Sequence, residues 1–246
     1  DLEYDVFDRL TRVELPNGTA TTYAYDTVGN LTELRHAAPG GGDLLGYTFT
    51  RDLLGRITTM TAVGALPVDL ADSRSHAAFD ASNRTIFRTE DLVTSSYAFD
   101  DNGRQILKTT AGEHTVYDYD DLGRLTAVLA NGEQTALTYD WSGTRLKRVH
   151  AGAERRYLAS GNGLWATFDG GGALERTFVS GPGILYSVDA AGDIAIYHPD
   201  PRGSVVAVSD GVGSIVESYA YDPYGRVVAS TGSGDNELRF LGTLGV

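Results

Sequence analysis

Aspartate recurs in this chain with unusual regularity. Asp80, Asp100, Asp120 and Asp140 fall twenty residues apart, and Asp5, Asp26, Asp52 and Asp222 share their local setting. A carboxylate ladder could hold calcium or supply acid–base groups. Calcium wants several oxygens within about a dozen residues, and each short segment here offers one or two carboxylates. Turn capping is a sufficient role. Arginine stands four residues after the aspartate at Arg9, Arg56, Arg104, Arg124 and Arg226. Such a row could meet phosphate or sugar. The expectation is an ion pair with a neighbouring unit's aspartate, since like positions align when units stack. The aromatic pairs Tyr23/Tyr25, Tyr117/Tyr119 and Tyr219/Tyr221 stand two apart, on one face of a strand. They could stack on glycans, but packing of a wall is the expected role. The five histidines (His36, His76, His114, His150 and His198) have no metal-ligand spacing. His198 near Asp200 lacks a serine or cysteine nucleophile in a recognisable setting. No catalytic, metal or cofactor site is assigned, and the chain is not expected to be an enzyme.

The elements that carry these residues are copies of one unit. Tyr119–Leu125 reads YDDLGRL, and Tyr4–Leu10 reads YDVFDRL. Tyr25–Leu31 is YDTVGNL, with Gly29, and Phe79–Thr85 is FDASNRT. Phe99–Gln105 is FDDNGRQ, with Gly103, and Tyr221–Val227 is YDPYGRV, with Gly225. Asp52 with Gly55 and Asp140 with Gly143 keep the frame, as do Asp169 with Gly172, Asp189 with Gly192 and Asp210 with Gly213. Gly123, Gly143 and Gly163 again step by twenty, which places Gly163 in the same frame. Fixed self-similarity at a short period means a repeat architecture.

Within one unit, Tyr117 and Tyr119 alternate with Asp118 and Asp120, and Leu125, Ala127 and Leu129 alternate after the glycine. Period-two alternation of this kind argues half-buried strands. Asp-x-x-Gly is turn chemistry, since aspartate bonds backbone two residues on and glycine accepts positive φ. Asn131-Gly132 is a hairpin signal, and Asn17-Gly18 and Ala111-Gly112 hold the equivalent place. Residues 37–42 and 64–67 read as insertions at hairpin tips. The class is all-β: an array of hairpins in one domain, residues 1–246, without a linker. About eleven units of two strands give about 22 strands.

The chain has 20 Lys and Arg against 33 Asp and Glu, a net charge of −13. That balance disfavours nucleic-acid phosphate. No apolar stretch approaches a membrane span. Zero cysteines exclude disulfides and thiolate metal sites. The chain begins inside a repeat, so it reads as a piece of a longer one, and a missing signal peptide says little about export.

The Y-D-x-x-G-R-L string at this period resembles the YD repeat of Rhs proteins, of insecticidal toxin-complex components and of teneurins. Tyr197-His198-Pro199-Asp200-Pro201-Arg202-Gly203-Ser204-Val205 resembles the Y-H-x-D-x-x-G-S-x element near the end of an Rhs core. Tyr221–Gly225 resembles Y-D-P-[FWY]-G, and Arg239-Phe240-Leu241-Gly242 resembles R-F-x-G. Residues 197–246 therefore resemble the C-terminal part of that core. The resemblance implies a curved β-strip that forms part of a hollow β-shell. Such a shell holds a C-terminal toxin for delivery, released in the family by aspartate-based self-cleavage. The cleavage motif and plug that follow R-F-x-G in the family are not present in Thr243–Val246.

The implied function is a non-catalytic encapsulation scaffold, with a cell-surface adhesion or glycan-binding repeat protein as the alternative. Implied partners are an enclosed toxin or effector domain, the remaining parts of the shell, and a secretion machine. No cofactor, nucleic acid or membrane span is implied, and the location is secreted or cell surface. Twenty-odd strands at 4.8 Å make a strip about 105 Å wide, against about 140 Å to encircle a 100-residue cargo. The strip is therefore expected to be part of a wall, its edges meeting further chain. The Tyr197–Gly203 element is expected at the closing end of the strip.

Overall fold

The computed structural model describes residues 1–64, 75–90, 92–160, 163–222, 225–233 and 236–242. Among them are 22 strands and no α-helix, so the all-β class and the strand number hold. The first sheet contains β1 (Leu2–Tyr4), β2 (Leu10–Glu14), β3 (Ala20–Tyr25), β4 (Leu31–Ala37), β5 (Asp43–Arg51) and β6 (Ile57–Val63). The second begins with β7 (Ser75–Phe79), β8 (Thr85–Glu90), β9 (Val93–Phe99), β10 (Gln105–Thr110) and β11 (Glu113–Tyr119). It continues with β12 (Leu125–Ala130), β13 (Glu133–Tyr139), β14 (Arg145–His150), β15 (Ala153–Ser160), β16 (Gly163–Asp169) and β17 (Leu174–Ser180). Its last strands are β18 (Ile184–Asp189), β19 (Ile194–Pro199), β20 (Val205–Ser209), β21 (Ile215–Tyr221) and β22 (Val227–Thr231).

Within each sheet every strand pairs with its neighbour in sequence, and neither order closes on itself. The expected strip of antiparallel hairpins is borne out, and it runs as an open sheet of six strands and an open sheet of sixteen. The insertion at residues 37–42 is a hairpin tip, closed by Ala38 N–H to Gly42 O. The one proposed for Gly64-Ala65-Leu66-Pro67 lies, beyond Gly64, outside the described residues.

The hairpins follow from the turn residues. One rim carries the aspartate turns from Asp5 to Asp140; the other carries the Asn17-Gly18 turn, the Ala38–Gly42 tip and, from β10 to β15, two-residue tips. Ala111-Gly112, Asn131-Gly132 and Ala151-Gly152 have φ of 52°/87°, 53°/79° and 48°/82°, a type I′ pattern whose twist suits antiparallel strands. Gly163 departs from the expected frame: it opens β16 rather than closing an aspartate turn. The aspartate turn of that region is Asp169–Gly172, and from there such turns occur at both rims, at Asp189, Asp200, Asp210 and Asp222.

The chain forms two compact units. Unit 1 is Asp1–Asp69 with Arg176–Val246, and it is layered. Val13 and Leu15 of the six-stranded sheet meet Ile196 of β19, with Tyr23, Leu185, Tyr186 and Ile194 around them. β20 is buried at every position, and its VVAVS run is continuously apolar before its serine, as a strand covered on both faces should be. The tail returns here: Val205 N–H donates to Arg239 O at 2.9 Å, and Leu241 N–H to Ser204 Oγ at 3.2 Å. The Tyr197–Gly203 element thus sits between β18 and β21 in the ladder, with the Arg239-Phe240-Leu241-Gly242 segment folded onto it.

Unit 2, Leu70–Glu175, is different. Taken by itself, it is one layer. Among its described residues only Tyr157, Ala166 and Thr167 are buried, while Leu129, Leu158 and Trp165 are about half exposed at 46%, 51% and 55%. A sheet with so small a core needs another source of order.

Candidate functional site: the interlocked aspartate turns

That source is the repeated turn. At Asp120, the backbone closes by Asp120 N–H to Arg124 O and Gly123 N–H to Asp120 O, both 2.9 Å. The side chain then takes over the remaining donors. Oδ1 accepts from the N–H of Leu122 (3.0 Å) and Arg124 (2.8 Å), and Oδ2 accepts from Arg124 Nε (2.6 Å). The same set recurs at Asp5, Asp52, Asp80 and Asp100. Asp26 substitutes Asn30 for the arginine, with Nδ2 at 2.9 Å. Asp140 uses the Ser142 hydroxyl at 2.7 Å. Asp222 keeps its Arg226 partner at 3.2 Å, and Asp200 uses Arg202.

The glycine position demands a left-handed backbone. Gly29, Gly55, Gly103, Gly123, Gly143, Gly203 and Gly225 all have φ between 77° and 95°, as their place in the motif implies. Where the sequence writes Asp8 or Asn83 instead, the chain still adopts φ of 63° and 59°, which these two residue types tolerate.

The expected pairing of each arginine with a neighbouring unit's carboxylate is corrected. Arg9, Arg56, Arg84, Arg104, Arg124 and Arg226 pair with their own unit's aspartate. The turn brings residues i and i+4 together before the next unit is reached. The link to the neighbour is made otherwise. Arg124 Nη1 donates to Asp140 O at 2.6 Å, and its guanidinium lies 5.3 Å from the Tyr139 ring centre. Tyr139 OH then donates back to Leu125 O at 2.8 Å. Arg104 repeats this with Asp120 O, the Tyr119 ring and Gln105 O, and Arg9 with Asp26 O, the Tyr25 ring and Leu10 O. So the motif's tyrosine, aspartate and arginine each serve two adjacent units.

One substitution in this pattern went unread in the sequence. In Thr50-Arg51-Asp52, arginine occupies the tyrosine position. Arg51 Nη2 donates to Leu31 O at 3.2 Å, the carbonyl a tyrosine hydroxyl would have met. The signal available was the intact Asp52-x-x-Gly55-Arg56 that follows it.

Electrostatics agree with the geometry. The Arg9 side-chain bond, with the Arg9 and Phe7 amides, holds the Asp5 carboxyl below its ordinary 3.8. Asp80 and Asp120 are lowered too, first by the amides of Arg84 and Arg124 and then by their guanidiniums. At Asp100 partial burial opposes the shift, and the Arg104 amide and guanidinium outweigh it. These oxygens are spent on the turn rather than turned to a ligand. Among the described residues no group of three or more His, Asp and Glu could hold a metal ion.

Tyr4, at 55% exposure, lies on β1, the edge strand of the six-stranded sheet. Tyr221 is buried, donates to Val205 O at 2.6 Å and packs against Phe240 with ring centres 5.8 Å apart. Tyr197 OH meets Ser187 Oγ at 2.7 Å. His198 and Asp200, paired only in sequence, make no bond to each other: His198 turns to Ser209, and Asp200 caps its own turn. Gly242 N–H donates to Arg239 O, closing the tail's own turn.

The RHS Repeat family profile matches residues 4–43 and 99–132, which lie in both units. The chain thus carries RHS repeats in these two stretches. No curated protein matches it in sequence. Solved structures extend the likeness in fold. The RHS-repeat chain superposes on the TcdB2-TccC3-Cdc42 crystal structure with a TM-score of 0.64 at 13% identity. The match covers 98% of this chain and 16% of that one. The Photorhabdus luminescens Tc holotoxin pore with a mutated TccC3 gives 0.64 at 14% identity, again over 98% and 16%. TcdB2-TccC3 itself gives 0.64 at 13%, over 98% and 17%. The RHS-repeat chain therefore spans about a sixth of the length of the chains it resembles. Among the described residues no helix is long and apolar enough to cross a membrane.

Proposed function

We propose that this RHS-repeat chain is a non-catalytic wall segment of a secreted shell that encloses an effector domain. One observation carries the reading: unit 2 is a single layer ordered by interlocked turns instead of a core. A freestanding globular domain buries a core, whereas a wall needs lateral cohesion and two usable faces. The fold likeness to TcdB2-TccC3 chains supports the same reading. So does the use of the turn aspartates as caps, which leaves them no free lone-pair array for catalysis. Glycan binding has less support. Guanidiniums lie over the rings of Tyr25, Tyr119 and Tyr139, on a face that a sugar would need.

The test is limited proteolysis of the full-length gene product. The effector domain should resist protease while the wall is intact and become cleavable when Gly123→Val loosens it. An effector cleaved equally fast in both proteins would refute enclosure. A glycan-array signal lost in Tyr117→Ala or Tyr119→Ala would favour the adhesin alternative.

A further inference from the structure

Two histidines 162 residues apart meet in the core of unit 1. His36 stands on β4 and His198 on β19, and both are essentially unexposed, at 0% and 1%. Their ring centres lie 5.2 Å apart, nearly perpendicular. His36 Nε2 lies 2.9 Å from Pro199 O, which can only accept, so Nε2 carries the proton. Its Nδ1, 2.9 Å from Thr21 Oγ1, then accepts the threonine hydroxyl. The ring is thereby held neutral. His198 Nε2 meets Ser209 Oγ at 2.8 Å, and Asn17 Nδ2 donates to that same oxygen at 3.2 Å. His198 Nδ1 is buried with no partner among the described residues.

We infer that the contact between the six-stranded sheet and β19–β20 in unit 1 is an acid-sensitive latch, with His36 and His198 as its two protonation sites. Among the described residues the surroundings offer an imidazolium no counter-charge. From β3 comes the Thr21 hydroxyl, from the β2–β3 turn Asn17, and from β20 Ser209. Tyr47 on β5 is itself pushed up by burial and by Asp200. The Asp200 carboxylate is occupied by the amides of Arg202 and Ser204 and the Arg202 guanidinium. Among the described residues no carboxylate acts on either ring: burial lowers His36 to about 4, and burial with the His36 charge lowers His198 to about 3.

The sign follows from linkage. In the closed latch both rings remain neutral below the ordinary value of 6.5. Once the sheets part, both hydrate and bind protons. Stability of the contact is complete above 6.5 and falls as the pH drops toward about 4. Each proton taken up favours opening by up to about tenfold per pH unit, and the pair by up to about a hundredfold.

Hydrogen exchange on the whole chain reads this directly. After correction for intrinsic rates, protection of β3, β4, β19 and β20 should fall by between tenfold and about a hundredfold per pH unit, from about pH 6 to about pH 4.5. His36→Gln and His198→Asn should each reduce that dependence to about tenfold. Protection that stays constant over this range in the wild type would overturn the latch, as would a dependence unchanged in both variants. Should a variant not fold, imidazole nitrogen spectra of the wild type decide. At about pH 5 both rings should be neutral, with His36 as the Nε2–H tautomer. An imidazolium at either position would overturn the inference.

Discussion

At the level of single residues, the repeat is a device for placing one aspartate where three donors converge. The left-handed residue after it makes that convergence possible. Gly123→Val should destabilise unit 2 by about 1–3 kcal/mol, because a β-branched residue at φ 79° is strained while the space around it is ordinary. Gly225→Ala should be more harmful than Gly123→Ala, since a methyl at Gly225 would stand 2.5 Å from the Phe240 ring, against 3.8 Å from Arg104 at Gly123. Thermal melts of the three variants check both statements. Equal losses for the two alanine variants would deny the Phe240 contact its role. The turn chemistry was legible in the sequence because it is local: aspartate, glycine and arginine act within five residues. The arginine's partner was misread because an i,i+4 pair across a tight turn forms before any inter-unit geometry applies.

Among the strands, cohesion runs from unit to unit through ring and carbonyl. Tyr139→Phe removes one hydroxyl bond to Leu125 O and should destabilise by about 0.5–1.5 kcal/mol. The coupling is directional, so a double-mutant cycle is informative. Arg104→Ala with Tyr119→Leu should be non-additive by about 0.5 kcal/mol or more, since they touch. Arg104→Ala with Tyr139→Leu should add within about 0.5 kcal/mol, since Tyr139 meets Arg124 instead. Urea denaturation measures both, and equal non-additivity in the two cycles would contradict nearest-neighbour cohesion. Strand number, hairpin tips and class were readable from alternation and turn residues. The burial of β19 and β20 was announced by continuous apolar runs in AIYH and VVAVS, a different signal from the alternating units. The His36–His198 contact left no local trace, because sequence periodicity says nothing about which face meets which across 162 residues.

For the whole chain, the two units should answer acid differently. Unit 2 depends on Asp80, Asp100, Asp120 and Asp140, whose carboxyls are all held below 3.8. A depressed carboxyl stabilises above its unfolded value and loses that contribution as the pH falls past it, so unit 2 should hold to about pH 4 and weaken below. The chain's only tryptophans, Trp141 and Trp165, both lie in unit 2. Their fluorescence should therefore stay constant from neutral pH to about 4.5 and change only below about 4, whereas exchange in unit 1 rises earlier. A tryptophan change centred near pH 6 would contradict the assignment of unit 2's stability to its carboxylates. The split into two sheets was not readable, since the aspartate turns at Asp52 and Asp80, on either side of it, are built alike. What the array encloses is the central question, and a cryo-EM reconstruction of the full-length gene product answers it most directly. The account predicts that residues 75–169 form one layer, with one face toward solvent and the other toward a cavity filled by effector density. A layer with solvent on both faces, and the effector ordered outside it, would contradict the account.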